Sequence, residues 1–172
     1  MGDSAFLDIP TNSNWFFPQW TSLNEDEEVY SISCDTCRRT YVRPLITTEY
    51  EFLVITDEGC EQVTYITVNV KPTHLIHFPK AFTPFPASPG ENDFLYPQSN
   101  EEVKQVDVFR LYNRWGNLVF ETYEIDANDP NVGWDGTLKG KLLPSDIYIW
   151  QVEVTFIDGY QETFAGETIL GK

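Results

Sequence analysis

Apolar side chains recur at every second position in several stretches of this chain, which is the spacing of a strand with one buried face. From Thr48 to Thr56, Tyr50, Phe52 and Val54 share one face; Asp57-Glu58-Gly59 supplies a turn, and Val63 to Val70 returns as the partner strand. Phe6 to Ile9 and Trp15 to Trp20 read as shorter strands, the first ended by Pro10 and the second interrupted by Pro18. Farther along, Val106 to Tyr112, a turn at Asn113 to Asn117 and Leu118 to Glu121 form a second hairpin. The longest alternation runs from Ile147 to Phe156, with Tyr148, Trp150, Val152, Val154 and Phe156 on one face. Asp158-Gly159 then turns the chain into a last strand, Tyr160 to Leu170. No helical period of any length competes.

The strands fall into two groups separated near Lys71-Pro72-Thr73-His74. Short strands with frequent turns predict an all-β protein of two consecutive Ig-like β-sandwich domains, residues 1–72 and 73–172. Between the strands lie an acidic loop at Glu25 to Glu28, a Pro/Gly-rich loop from Pro84 to Gly90 and an Asp/Asn-rich loop from Asp126 to Gly136. Like charges crowded into a paired strand would repel, so the acidic run belongs outside a sheet.

Composition supports the β reading and narrows the partners. Of the 172 residues, 41% are hydrophobic and 15% aromatic, enough for real cores and suited to pleated, half-buried surfaces. The formal net charge is -16, from 27 acidic and 11 basic residues. Nucleic-acid binding needs a basic stripe to displace phosphate counterions, and none exists here. An anionic membrane surface is disfavoured on the same ground. No run of eighteen apolar residues is present, so no transmembrane helix is predicted. Met1-Gly2-Asp3-Ser4 leads directly into strand-like sequence, which reads as a start codon added to a fragment of a longer protein, its export signal lying upstream.

Cys34, Cys37, Cys60, His74 and His77 are the soft-ligand residues. Cys34-x-x-Cys37 with His74-x-x-His77 has the local spacing of a zinc site, but the His pair lies where the second domain begins and Cys60 is left over. A thioredoxin-type redox motif needs a helix after its first cysteine. The favoured reading is a local Cys34–Cys37 disulfide in an oxidising compartment, a useful staple for a sandwich of about 70 residues that buries only about 60% of its unfolded surface. Cys60 then asks for a partner, either a cysteine upstream of Gly2 or one of Cys34 and Cys37.

Two turn motifs and one loop carry candidate chemistry. In Asn113-Arg114-Trp115-Gly116, Gly116 is expected to supply an awkward turn dihedral while Trp115 folds over the sandwich edge. The functional alternative makes Arg114 and Trp115 an exposed contact, since aromatic and Arg side chains dominate interaction hot spots. Gly133-Trp134-Asp135-Gly136 reads as a turn with a buried anchor. Around it, Asp126, Asn128, Asp129, Asn131 and Asp135 offer enough oxygens for Ca²⁺, without the regular EF-hand spacing. No cofactor is expected other than this candidate calcium ion. An adhesin or carbohydrate-binding sandwich would instead need Trp15, Trp20 or Trp134 exposed in a groove. Neither a nucleophile motif nor a phosphate loop accompanies the two histidines, so no enzyme is predicted.

The ordered motifs resemble known families. Cys34 to Cys37, Pro44 to Tyr50 and Thr56 to Cys60 resemble the Ig-like/PKD-like spacer repeats of large Bacteroidota surface proteins. Phe78 to Pro84 followed by Glu91-Asn92-Asp93, then Tyr112 to Gly116, Val119 to Glu121, Gly133 to Gly136, Gly140-Lys141, Leu143 to Ser145, Ile147-Tyr148 and Gly166 to Lys172 resemble a second family over residues 76–172. That family is the gliding-motility-associated C-terminal domain, the type B sorting domain of the type IX secretion system. The resemblance implies export across the outer membrane through the type IX translocon, retention at the cell surface of a Gram-negative bacterium, and a PorP-type outer-membrane partner. The candidate partner-binding residues are Arg114, Trp115, Asp135 and Lys172. Two departures stand out. The family's Gly/Asp-rich loop is replaced by Phe85 to Glu91, and Asp146 stands where glycine is commoner, in a turn expected to be left-handed.

Overall fold

The computed structural model describes residues 4–9, 15–24, 30–56, 58–84 and 92–171, with backbone only for 15–17. The chain divides into two compact units, Met1–Thr73 and His74–Lys172. Both are all-β, as the alternation predicted. The acidic run at 25–28, the rebuilt loop at 85–91 and the terminal Lys172 lie outside the described residues.

In the first unit, β1 (Ala5–Asp8) pairs antiparallel with β3 (Arg39–Val42), and β2 (Trp15–Ser22), β4 (Thr48–Thr56) and β5 (Glu61–Val68) form an antiparallel sheet in the order β2-β4-β5. Pro18 does not end β2. A register shift between Phe16 and Gln19 absorbs it, since a bulge places the missing N–H off the ladder. Leu7 and Val42 from one sheet meet Trp20, Tyr50, Phe52 and Val54 from the other in a single core. The β3 strand, too short to show a period in sequence, is held by local polar contacts. Its buried Thr40 hydroxyl shares a hydrogen bond with Ser33 Oγ at 3.1 Å and accepts one from the Cys34 N–H at 3.1 Å.

Cys34 and Cys37 are joined in a disulfide, and Cys60 is free and exposed. Neither alternative use of this cysteine pair survives, whether as zinc ligands or as partners of Cys60. The bridged loop also shapes the core. Its Cys37 carbonyl accepts the Trp20 indole N–H at 2.8 Å and its Asp35 carbonyl accepts the Trp20 backbone N–H at 2.6 Å, so the buried indole is satisfied by the stapled loop.

The second unit is built on β9 (Val103–Tyr112), β10 (Leu118–Ile125), β13 (Ile147–Phe156) and β14 (Gln161–Leu170), with the two-residue β7 (Ala81–Phe82) at one edge; the order is β10-β9-β13-β14-β7. All pairings are antiparallel except β14 with β7. The opposing layer is made of short ribbons rather than a second long sheet: β6 (Ile76–His77) with β8 (Gln98–Ser99), β11 (Thr137–Leu138) with β12 (Lys141–Leu142), and a bridge between Leu95 and Trp134. Tyr148, Trp150, Val152, Val154 and Phe156 line the core face of β13, as their spacing predicted. Phe78 stacks on Trp150 with centroids 4.3 Å apart, and Trp150 crosses Gly166 on the neighbouring strand, where a Cβ would collide with the ring. Glycine at 166 is therefore a packing requirement.

Candidate partner-binding site

The β9–β10 turn is closed by one side chain. Asn113 Oδ1 accepts the backbone N–H groups of Trp115 (3.0 Å) and Asn117 (2.9 Å), and Gly116 takes a left-handed φ of +80°. That conformation sends Trp115 outward. Trp115 is 73% exposed, which overturns the expectation that it folds over the sandwich edge: the turn closes through Asn113 and leaves the side chain in solvent. Arg114 lies over the Trp115 ring, 5.0 Å from its centroid, and its Nε donates to Asp146 Oδ2 at 2.9 Å. The pair therefore presents an indole with one face covered by a guanidinium whose charge is already countered.

Asp146 explains its own departure from glycine. It does not adopt a left-handed φ; its Oδ1 accepts the Ile147 N–H at 2.9 Å while Oδ2 holds Arg114. One carboxylate thus ties the hairpin tip to the start of β13. Its charge also helps, after burial, to raise the Tyr148 hydroxyl above the usual phenol range.

Trp134 is the buried anchor its motif predicted, 1% exposed, with its indole N–H donating to the Thr137 carbonyl at 2.9 Å. It packs on Tyr148 (4.9 Å) and Phe82 (5.5 Å). Its backbone exchanges two hydrogen bonds with Leu95, and Gly133 permits the approach, since a Cβ there would stand 3.0 Å from Leu95 O. Asp135 is exposed and accepts the Thr137 N–H at 2.9 Å; no contact joins it to Arg114 or Trp115. Only Arg114 and Trp115 of the predicted partner-binding set come together, and Lys172 lies outside the described residues.

Several side chains of the oxygen-rich loop serve backbone groups. Asn128 Oδ1 accepts the Ser99 N–H at 3.0 Å and its Nδ2 donates to Ser99 O at 3.1 Å. Asp129 caps a 3-10 turn at Pro130–Val132, accepting from Asn131 N and Nδ2 at 2.9 and 2.8 Å. Asp126 is exposed. Among the described residues no three His, Cys, Asp or Glu side chains gather where a metal ion could sit. Nor are Trp20 and Trp134 available as a carbohydrate platform, being 2% and 1% exposed, and the Trp15 side chain is outside the description.

Sequence reasoning missed two features of this unit. His74, at its first position, donates from its backbone N–H to Glu102 (3.2 Å), pairs through Nε2 with Asp158 Oδ2 at 2.7 Å and stacks on Tyr160 with centroids 4.5 Å apart. Burial raises the Asp158 carboxyl, but the Tyr160 N–H and the His74 ring outweigh it and hold the group below the usual range. The second feature is the outer face of the sheet. Ile147, Ile149, Ile169 and Leu118 are each close to half exposed there. Its signal was present in the sequence, because Ile147 and Ile149 make the start of β13 apolar at both parities.

The second unit is thus an acidic all-β module with a locked aromatic core, two segments far apart in sequence paired at its edge, and an outward Trp–Arg tip. Residues 76–168, more than half of the chain, match the CHU_C type IX secretion signal domain, and the chain belongs to that family. Its second unit is accordingly a sorting signal for type IX export, and the protein is secreted or displayed at the cell surface. The start and end of this unit meet in space: Ala81-Phe82 pairs parallel with Ile169-Leu170, and the Thr168 hydroxyl donates to Pro79 O at 2.9 Å. No curated protein matches the chain. Among solved structures, dimeric latent PorU from Porphyromonas gingivalis is 13% identical with a TM-score of 0.30 over 90% of this chain and 16% of its own, a likeness too slight to argue from. The chain thus spans about a sixth of that protein's length. None of the described helices is long and apolar enough to cross a membrane.

Proposed function

We propose that the second unit both carries its protein through the type IX translocon and retains it at the outer surface of the outer membrane, by docking on a PorP-type membrane protein, while the first unit is an Ig-like spacer that holds cargo away from the attachment point. The observation that supports this most is the coincidence of the family match, residues 76–168, with a unit that owns its core and exposes the Trp115–Arg114 tip. Folded recognition suits a signal whose motifs are spread from Phe78 to Leu170. Here the chain is an address and contributes no catalysis. The adhesin alternative is less favoured, because two of its three candidate rings, Trp20 and Trp134, are core residues.

The test is a reporter carrying an N-terminal signal peptide and this chain at its C-terminus, expressed in a type IX-competent host and in the same host lacking its PorP-type protein. The reporter should become accessible to external protease in the first host and be exported but released, or degraded, in the second. A reporter left in the periplasm while an established sorting domain is exported would sink the reading. Equal retention in both hosts would remove the PorP-type partner.

A further inference from the structure

The outer face of the five-stranded sheet is divided into two unlike ends. Register partners share a face in an antiparallel sheet. At one end, Glu121 and Glu153 flank Arg110 at 2.7 and 3.0 Å, a charged clamp across β10, β9 and β13. At the other end Leu118 lies opposite Tyr112, Tyr112 opposite Ile149, and Ile147 opposite Ile169. Four of these aliphatic side chains are 45–49% exposed, and Trp115 extends from the adjoining turn. Single exposed aliphatics are ordinary on a protein surface; a contiguous group rimmed by an exposed Trp marks an interaction site.

Charge selects the occupant. Both arginines bordering the patch are neutralised, Arg110 by Glu121 and Glu153 and Arg114 by Asp146. Glu167, opposite Ile149 on the same face, is exposed and has no ion pair among the described residues. A second copy docked face to face would bring two Glu167 side chains and two chains of charge -16 together. Anionic lipid headgroups would meet the same repulsion. A protein surface with an apolar ridge bordered by Lys or Arg satisfies both the isoleucines and Glu167.

We propose that the apolar end of this face, Tyr112, Leu118, Ile147, Ile149 and Ile169 with Trp115 at its rim, is the surface by which the domain docks on a component of the export machinery that presents such a basic-bordered apolar ridge. The inference rests on the sorting role proposed above. Its test compares export of a reporter fused to the full chain with export of Ile149→Glu, Glu167→Lys and Glu167→Gln variants, and of Thr163→Lys at the polar end of the same face. Thermal unfolding of each purified chain is measured alongside.

Export should fall at least about 10-fold for Ile149→Glu and Glu167→Lys, about 2–3-fold for Glu167→Gln, and stay unchanged for Thr163→Lys, with unfolding midpoints intact. If Ile149→Glu does not fold, Glu167→Lys, a change at an exposed charged position, carries the test. Normal export of both charge variants beside an exported wild type overturns the docking surface and leaves the sorting role standing. A wild type that is not exported overturns both. Dimerisation of the purified chain in sedimentation that Ile149→Glu abolishes overturns the proposal in favour of self-association. Binding to phosphatidylethanolamine/phosphatidylglycerol vesicles that Ile149→Glu abolishes overturns it in favour of lipid.

Discussion

The two units close their cores by unequal means. The first buries six apolar side chains among the described residues, Leu7, Trp20, Val42, Tyr50, Phe52 and Val54, and adds a disulfide whose loop satisfies the Trp20 indole. Among the described residues the second buries fourteen, and it has no disulfide; its largest fully buried ring, Trp134, is satisfied by the carbonyl of Thr137, three residues on, and packs against Phe82 and Tyr148. A small core leans on a covalent staple, while a larger one can rely on interlocked rings and close glycine contacts. That difference also suits export. The recognised unit holds its two distant segments together by non-covalent packing, and so folds without waiting for thiol oxidation.

The sharpest way to break this comparison is to remove the second unit's anchor. Trp134→Ala should cost about 3–5 kcal/mol, because the indole fills the space between Phe82 and Tyr148 and the Thr137 carbonyl loses its donor. In calorimetry the second unit's transition should move down by tens of degrees, or vanish, while the first unit's stays in place. Movement of both together would show that the cores are not independent. A smaller effect in the same unit is expected from Gly166→Ala. Its methyl group would collide with the Trp150 ring, which is already stacked on Phe78 and so has little freedom to move. Overpacking of this kind costs about 1–3 kcal/mol. A Trp150→Leu change made in the Gly166→Ala background should recover part of it, and failure to recover any would place the strain elsewhere.

The staple of the first unit is worth less than either. A disulfide closing so short a loop restricts the unfolded chain little, so Cys34→Ser with Cys37→Ser should cost about 1–2 kcal/mol. The loss should appear only in the first unit's transition, and dithiothreitol should reproduce it in the unmodified chain. A loss well above this range would mean that the carbonyls of Asp35 and Cys37, which hold Trp20, depend on the bridge for their positions.

Much of this was legible in the sequence, and for identifiable reasons. The long strands β4 and β13 carry enough period-two positions to set both their type and their inward face, and Asp158-Gly159 sets a turn; β9 shows its type but not one face, because its buried positions change parity from Val106 to Phe109 at a bulge. The buried Trp134 was legible from its flanking glycines. Strands of two residues, such as β7 and β12, have no period to read; they exist because a distant segment offers them hydrogen bonds. Trp115 was misplaced because a turn motif states a backbone conformation and leaves open whether apolar surface lies beneath the side chain. The oxygen-rich loop is ambiguous in sequence for a related reason. Asp and Asn close turns through the backbone as readily as they bind cations, and here Asn128 and Asp129 both make such hydrogen bonds.

The smallest expected effect tests the first unit's core from the opposite direction. Tyr50 is fully buried, and its hydroxyl has no hydrogen-bond partner among the described residues. Burial, with Tyr30 adding to it, pushes its pKa up to about 12 from an ordinary value of 10. The folded unit therefore holds its proton through a range in which the unfolded chain has released it. Between pH 10 and about 12 the unfolded state binds fewer protons, so the stability gained from the neutral Tyr50 is complete below pH 10 and is lost as pH rises through that window. Tyr50→Phe removes both the orphan hydroxyl and its titration. At pH 7 it should leave the first unit's midpoint unchanged or raise it slightly, because an unpaired buried hydroxyl contributes nothing that a phenyl ring lacks. At pH 11 the variant should lie clearly above the unmodified chain, with the second unit's midpoint identical in both. A Tyr50→Phe variant less stable than the unmodified chain at pH 7 would show that the hydroxyl has a partner after all.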